Sequence, residues 1–258
     1  MEGTILISIV TPVYNAERSI LDCMESVLNQ TYSNFEHILI DDRSTDGSYE
    51  LVTSLSERDK RIRNFRLSTN SGAGIARSFG LKKSRGRFIA FLDSDDVWDK
   101  SKLNEQLAFC LSEKIKFSYT NYWTFNEDNV LCSNVPVRDS VSKKDILKTC
   151  DIYTSTVLIE KELLSTNLSL IRKRQDFVSW VNVLCEVEKA YALKIPLTGY
   201  RISKTSLSGN KFKIARVQWG VYRNELNLSL SYTIYLFIFY SFNGLRKRLL
   251  QTKGGQLN

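Results

Sequence analysis

Over the first hundred residues, short apolar runs alternate with longer amphipathic stretches, the pattern of βαβ units on a mostly parallel sheet. Residues 6–13, 35–40, 62–67 and 88–92 read as strands. Between them the spacing predicts helices over 16–30, 48–56 and 75–83. In the first of these, Ile20, Met24, Val27 and Leu28 share a face, and Asn15 stands where an N-cap is wanted. Farther on, the pattern predicts a helix over 101–113, a strand pair over 117–125 and 130–133 turned at 126–129, a strand over 155–159 and a helix over 177–189. No domain boundary is visible before about residue 200. Open α/β sheets bind ligands beyond the carboxyl ends of their strands, so the polar segments that follow each strand are the place to look for chemistry.

Composition narrows the class. The 258 residues are 43% hydrophobic and 25% charged with three prolines, which fits a folded domain with a sizeable core. Cys23, Cys110, Cys132, Cys150 and Cys185 are odd in number and lack a Cys-x-x-Cys pair, so they read as reduced thiols rather than a zinc or disulfide framework. Residues 1–9 lack the charged and long apolar regions of a signal peptide, which sets a cytoplasmic expectation. The net charge of +8 is concentrated in residues 201–258, which hold ten Lys/Arg against one acid, Glu225. That basicity fits an anionic membrane, a diphosphate-bearing acceptor or a nucleic acid, and charge does not choose among them. Within it, residues 226–242 are apolar and aromatic but broken by serines, too interrupted for a membrane span. They suit either a helix lying at a membrane surface or one packed on the domain.

Four polar segments follow predicted strands. Asp93-Ser94-Asp95-Asp96 brings three carboxylates together, which repel unless a cation such as Mg²⁺ or Mn²⁺ is shared, though an acidic turn at a helix start looks the same. Asp41-Asp42-Arg43-Ser44-Thr45-Asp46-Gly47 offers a carboxylate to a base or ribose hydroxyl, with Ser44 or Asp46 as a capping residue; Asp46 reads as the structural one. Asn70-Ser71-Gly72-Ala73-Gly74-Ile75-Ala76-Arg77 is a glycine-bearing loop running into a helix. It is not a dinucleotide fingerprint, because Arg77 stands where a third glycine is needed. Arg77 steadies a phosphate or pairs with an acidic loop. His37, the sole histidine, lies inside an apolar strand and reads as structural.

Taken in order, these segments resemble glycosyltransferase family two, whose catalytic domain has the GT-A fold. The resemblance is carried by Ser8-Ile9-Val10-Thr11-Pro12-Val13-Tyr14-Asn15, Asp41-Asp42-x-Ser44-Thr45-Asp46-Gly47, Asn70-x-Gly72 with Ala76-Arg77, and Leu92-Asp93-Ser94-Asp95-Asp96. It implies that Thr11, Pro12, Tyr14 and Asn15 border a nucleotide, that Asp41 or Asp42 contacts the base, that Asp93 lies on the ribose side and that Asp95, with Asp93, holds a divalent metal. Asn70, Gly72, Arg77 and Ser94 complete the donor set. The family's base resides in an acidic pair ahead of a helix. Here Gln175-Asp176 precedes Phe177-Val178-Ser179-Trp180, which makes Asp176 the base, or else the cap of that helix. Gln218-Trp219 departs from the Gln-x-x-Arg-Trp of processive members, and Tyr200-Arg201 with Ser206-Leu207-Ser208 resembles a segment that closes over donor diphosphate.

The resulting expectation is an α/β GT-A domain over 1–205, with a nucleotide part over about 1–100 and an acceptor part over about 101–205, followed by a basic aromatic segment over 206–258. Such an enzyme transfers one hexose or N-acetylhexosamine from a UDP-sugar, with inversion and with Mn²⁺ or Mg²⁺, to a saccharide or lipid-diphosphate saccharide of a bacterial surface polysaccharide. It works in the cytoplasm against the membrane's inner face and binds no nucleic acid. A sugar-1-phosphate nucleotidyltransferase would instead carry glycines after the first strand, which residues 11–15 lack. A non-enzymatic saccharide- or nucleic-acid-binding module would not need acidic loops converging on one edge.

Overall fold

The computed structural model describes residues 4–164, 168, 170–202 and 211–240. Within these, ten strands form one sheet, ordered β3-β2-β1-β4-β9-β6-β10-β5, with β7 on β6 and β8 on β10. Strands β1 (Ile7–Val13), β2 (Phe35–Asp41), β3 (Ile62–Arg66) and β4 (Phe88–Phe91) pair in parallel, linked by helices α1 (Ile20–Leu28), α2 (Ser48–Arg58) and α3 (Ala73–Lys83). Strands β1 and β4 alternate their apolar side chains between two cores. Ile7, Ile9, Phe88 and Ala90 meet α1 and α4 (Lys102–Ser112) on one face, and Val10, Ile89 and Phe91 meet α6 (Gln175–Glu186) on the other. Both faces are covered, which is why these strands read as nearly continuous apolar runs. On the second face α3 lies so close to β1 that a Cβ on Gly80 would stand 2.4 Å from Val10.

Beyond β4 the sheet turns mixed. After β5 (Val97–Trp98) and α4, β6 (Phe117–Phe125) pairs with β7 (Leu131–Val135), β9 (Leu158–Glu160) returns antiparallel between β4 and β6, and β10 (Lys189–Arg201) runs parallel to β6. Short β8 (Ser140–Ser142) and α5 (Lys143–Lys148) cover the far end. Several boundaries differ from the periodicity. Helix α1 starts at Ile20, not residue 16, and Asn15 does not cap it: Asn15 takes a left-handed φ of 49° and its Oδ1 accepts from Thr45 N. Residues 154–156 form a 3₁₀ turn, so the strand expected from 155 begins at Leu158. Helix α6 ends at Glu186, and β10 takes up the chain from Lys189, a long strand masked in the sequence by Lys189, Lys194 and Pro196 and bulged around Pro196.

Helix α7 (Lys211–Gly220) continues into a wider turn over Val221–Glu225 and then α8, residues 230–240. This segment packs on the domain: Val221, Tyr222 and Leu236 enter the second core, and Tyr222 Oη donates to the Leu147 carbonyl at 2.6 Å. Its outer face leaves Ile234, Tyr235, Ile238 and Phe239 exposed at helical spacing. Among the described residues, no helix is long and apolar enough to cross a membrane. The expected segment Ser206–Ser208 and the basic cluster Arg246–Arg248 lie outside the described residues.

Candidate active site

Because β1 to β4 are parallel, their carboxyl ends reach one edge, and the four polar segments meet there. Asn15 and residues 44–45 are laced together: Asn15 N donates to Ser44 Oγ at 3.1 Å, and Thr45 N donates to Asn15 Oδ1 at 2.9 Å. Asp42 joins the second segment to the third, its two oxygens accepting from Ser71 N and Gly72 N at 2.7 Å each, while Asn70 Nδ2 donates to the Asp42 carbonyl. Gly72, at φ +91°, turns the chain into α3 through a region closed to most residues. Asp41 is buried and committed to Ser44 N and to Arg66, whose Nε lies 2.9 Å away. Asp46 accepts from Ser48 N and Oγ and from Glu17 N, but the N-cap of α2 is Gly47, so Asp46 is not the capping residue expected. Thr11 and Pro12 lie inside β1; Thr11 Oγ1 is 2.9 Å from His37 Nε2, so of that run Tyr14 and Asn15 open to solvent.

The acidic turn after β4 holds three carboxylates in three environments. Asp93 forms a salt bridge with Arg77, and its backbone N–H donates to Ser155 Oγ at 3.1 Å. Asp96 is fully buried, accepting from Ser155 Oγ (2.6 Å), Tyr153 Oη (2.9 Å) and Arg201 N (3.2 Å). Burial, and then the charges of Asp95 and Asp93, raise its carboxyl well above the ordinary range. Asp95 opens on solvent from a recess between these neighbours, and burial followed by Asp93 lifts it to about 6. Ser94 beside it is half exposed. Arg201 braces the turn from β10: Nε donates to the Asp95 carbonyl (2.9 Å), Nη1 to Asn129 Oδ1 (3.1 Å) and Nη2 to Asp22 Oδ2 (2.7 Å), over the ring of Phe125. Its guanidinium is thus already engaged on both sides.

On the α3 and α6 side of this turn lies a recess lined by Gly74, Arg77, Thr154, Gln175, Asp176 and Trp180, among others. Asp176 is the second residue of α6, not its cap; Arg174, at φ 61°, precedes the helix and bends the chain into it. The Asp176 carboxylate is half buried, and its charge adds to that of Asp93 on Arg77. Burial pulls the Arg77 guanidinium down, and those carboxylates more than offset it. Among the described residues, Arg77 Nε and Nη1 and Trp180 Nε1 are buried with no hydrogen-bond partner. The sequence reading missed Ser155, Tyr153, Asp22 and Trp180. Nothing local marks them, since each acts by meeting a segment 57 or more residues away or by lining a recess that only the folded sheet creates.

As to a divalent metal, the residues fit with one qualification. Among the described residues, no three His, Cys, Asp or Glu side chains are grouped to hold an ion by themselves. Small hard cations, however, commonly take one or two carboxylates and complete their shell with substrate phosphates and water. Asp96 is consumed by hydrogen bonds, whereas Asp95 is a crowded carboxylate raised to about 6 that a cation would relieve.

A family model described as Glycosyl transferase family 2 matches residues 8–157. TuaG of Bacillus subtilis, a glycosyltransferase named for teichuronic acid biosynthesis, is 37% identical over 95% of this chain and 98% of its own. The Escherichia coli enzyme WfgD, named as a UDP-Glc:α-D-GlcNAc-diphosphoundecaprenol β-1,3-glucosyltransferase, is 34% identical over 97% of this chain and 98% of its own. Among solved structures, Staphylococcus aureus TarS residues 1–349 with UDP-GlcNAc superposes with a TM-score of 0.68 at 21% identity, over 91% of this chain and 71% of that one. A mannosyltransferase from Pyrobaculum calidifontis with GDP-Man and Mn²⁺ gives 0.67 at 13%, over 86% and 64%. Those two likenesses establish the GT-A fold, and with the family match and the full-length relatives they show that the chain is a glycosyltransferase belonging to glycosyl transferase family 2.

Proposed function

We propose that the protein transfers a single hexose or N-acetylhexosamine from a UDP-sugar, with inversion, to a saccharide carried on a lipid diphosphate during assembly of a bacterial surface polysaccharide. The observation that carries this reading is the convergence of Asp42, Asp93, Asp95 and Asp176, drawn from three separate segments, around one edge of the sheet. The relatives' names supply the biological setting: one is named for teichuronic acid and another for a diphosphoundecaprenol acceptor.

Tyr14, Asn15 and the Asp42-bridged loop at Asn70–Gly72 border the nucleotide, with Asp42 rather than the ion-paired Asp41 nearest the base. Asp95, with the Asp93 oxygen left free by Arg77, would hold Mn²⁺ or Mg²⁺. Such an ion, when bound, neutralises charge on the departing diphosphate. Asp176 takes the proton of the acceptor hydroxyl as its oxygen attacks the anomeric carbon, so the bond to UDP breaks on the opposite face and the anomeric configuration inverts. Arg77 holds Asp93 in place and keeps cationic charge beside the developing negative one. Arg201 braces the acidic turn. The enzyme acts in the cytoplasm, with the outer face of α8 against the membrane.

The test is UDP release from UDP-sugars with Mn²⁺ and a lipid-diphosphate N-acetylglucosamine acceptor, wild type against Asp176→Asn. The variant is expected to lose at least 10²-fold in kcat while keeping UDP affinity. Undiminished turnover would remove Asp176 from its role.

A further inference from the structure

The recess beside Asp176 contains an arrangement that the transfer chemistry does not require. Trp180 is 1% exposed, and its indole is fixed by Phe91 and Phe117, whose ring centroids lie 5.9 and 5.4 Å away. Arg77 is 6% exposed and anchored by Asp93. Both line the recess, and among the described residues Arg77 Nε, Arg77 Nη1 and Trp180 Nε1 have no hydrogen-bond partner. Natural proteins keep few buried donors unpaired, and phenylalanine in place of Trp180 would fill an apolar core without this cost.

The lining specifies the missing partner. Three N–H donors call for a group with lone pairs. That group is neutral, because Asp93 already matches the Arg77 charge and Asp176 adds a second negative charge to the same recess. It is small, because the recess, open on one side, has room of about 10 Å³ between its walls, the space of one water-sized oxygen. It belongs to the donor, because Arg77 ties the recess to the acidic turn. We infer that Arg77 and Trp180 form a reading site for one unsubstituted hydroxyl of the transferred hexose, with Trp180 as a specificity-determining hydrogen-bond donor. The inference rests on the donor reading above and adds the contact by which the sugar, rather than the nucleotide, is recognised. The hydroxyl oxygen accepts from the guanidinium and the indole, and its own proton points toward the Asp176 side, so the hexose is oriented before the acceptor arrives.

The experiment is calorimetric binding of UDP, UDP-glucose, UDP-galactose and the monodeoxy analogues of both, with Mn²⁺ and without acceptor, to wild type and Trp180→Phe. For wild type, one deoxy position is expected to bind about tenfold more weakly than its parent, the loss of one hydrogen bond to a buried donor. Trp180→Phe should bind the parent about tenfold more weakly, should no longer distinguish that deoxy analogue, and should bind UDP as wild type does. The unchanged UDP affinity shows that the variant is folded. Retention of every wild-type ratio by Trp180→Phe, or an absence of any deoxy penalty in wild type, overturns the inference while leaving the donor reading intact. Wild type that binds no UDP overturns both.

Discussion

Arg77 and His37 are both buried polar residues, and they face opposite electrostatic problems. Arg77 keeps its charge because Asp93 pairs with it, and a buried charge left without its partner is costly. Asp93→Asn is therefore expected to lower stability by about 3 kcal/mol, measured by urea unfolding, together with donor binding; a change in binding alone would mean the pair is not structural. His37 has no such partner: burial lowers it to about 3, and it stays neutral, facing Thr11. Its unfolded value is near 6.5, so below that pH the unfolded chain takes up a proton that the folded one refuses, and stability is lost as pH falls from 6.5 toward 3. His37→Gln removes this uptake. The stability advantage of wild type over the variant should shrink by about 2 kcal/mol between pH 7 and pH 5, read from denaturant midpoints at the two pH values. A constant difference would show that His37 takes up its proton in the fold as readily as in the unfolded chain.

Helix α3 is an example of an element whose placement serves the site. Gly72 starts it, Arg77 projects from it into the recess, and Gly80 lets it sit against β1 with Val10 in the place a Cβ would occupy. Gly80→Ala is accordingly expected to cost about 1–3 kcal/mol through overpacking, and to weaken donor binding because α3 carries Arg77 away as it retreats. Thermal melts and UDP calorimetry check the two effects together, and a stable variant with weakened binding would argue against this coupling. The turn at Thr154–Thr156 works from the opposite side: Ser155 holds Asp96 and the Asp93 backbone at once. Ser155→Ala leaves a buried carboxyl short of one donor, a loss of about 1–3 kcal/mol.

At the scale of the molecule, the C-terminal segment has one face packed in the core and one exposed. Tyr222 and Leu236 are part of the core, so removing residues from 226 onward would destabilise the domain as well as alter its surface. Leu236→Ala is expected to cost about 2–5 kcal/mol. The exposed Ile234, Tyr235, Ile238 and Phe239 lie one turn apart with Lys148 beside the rings of Tyr235 and Phe239, a surface suited to a lipid headgroup region. Ile238→Glu paired with Tyr235→Glu should leave the melting temperature within a few degrees of wild type and reduce sedimentation with anionic vesicles several-fold. Unchanged sedimentation would assign this face another duty.

Sequence alone determined the parallel half of the sheet. In β1, β2 and β4 both faces are buried, so apolar runs, helical spacing and glycine-marked turns all point the same way, and the four polar segments fall at strand ends by topology. It also placed Asp176 beside a helix start, a matter of local order along the chain, although the helix begins at Gln175 and takes Asp176 into its first turn. Tertiary structure alone decided which of those residues are committed. Thr11 turns inward to His37, Asp41 to Arg66 and Arg201 to Asp22, because each meets a partner that chain order does not reveal. Strand β10 was likewise hidden: its charged positions and Pro196 erase the alternation, and only pairing with β6 specifies it as a strand. The physical reason is common to both. Periodicity records which side of an element is buried, whereas hydrogen-bond partners and charge compensation depend on what a distant segment brings to that side.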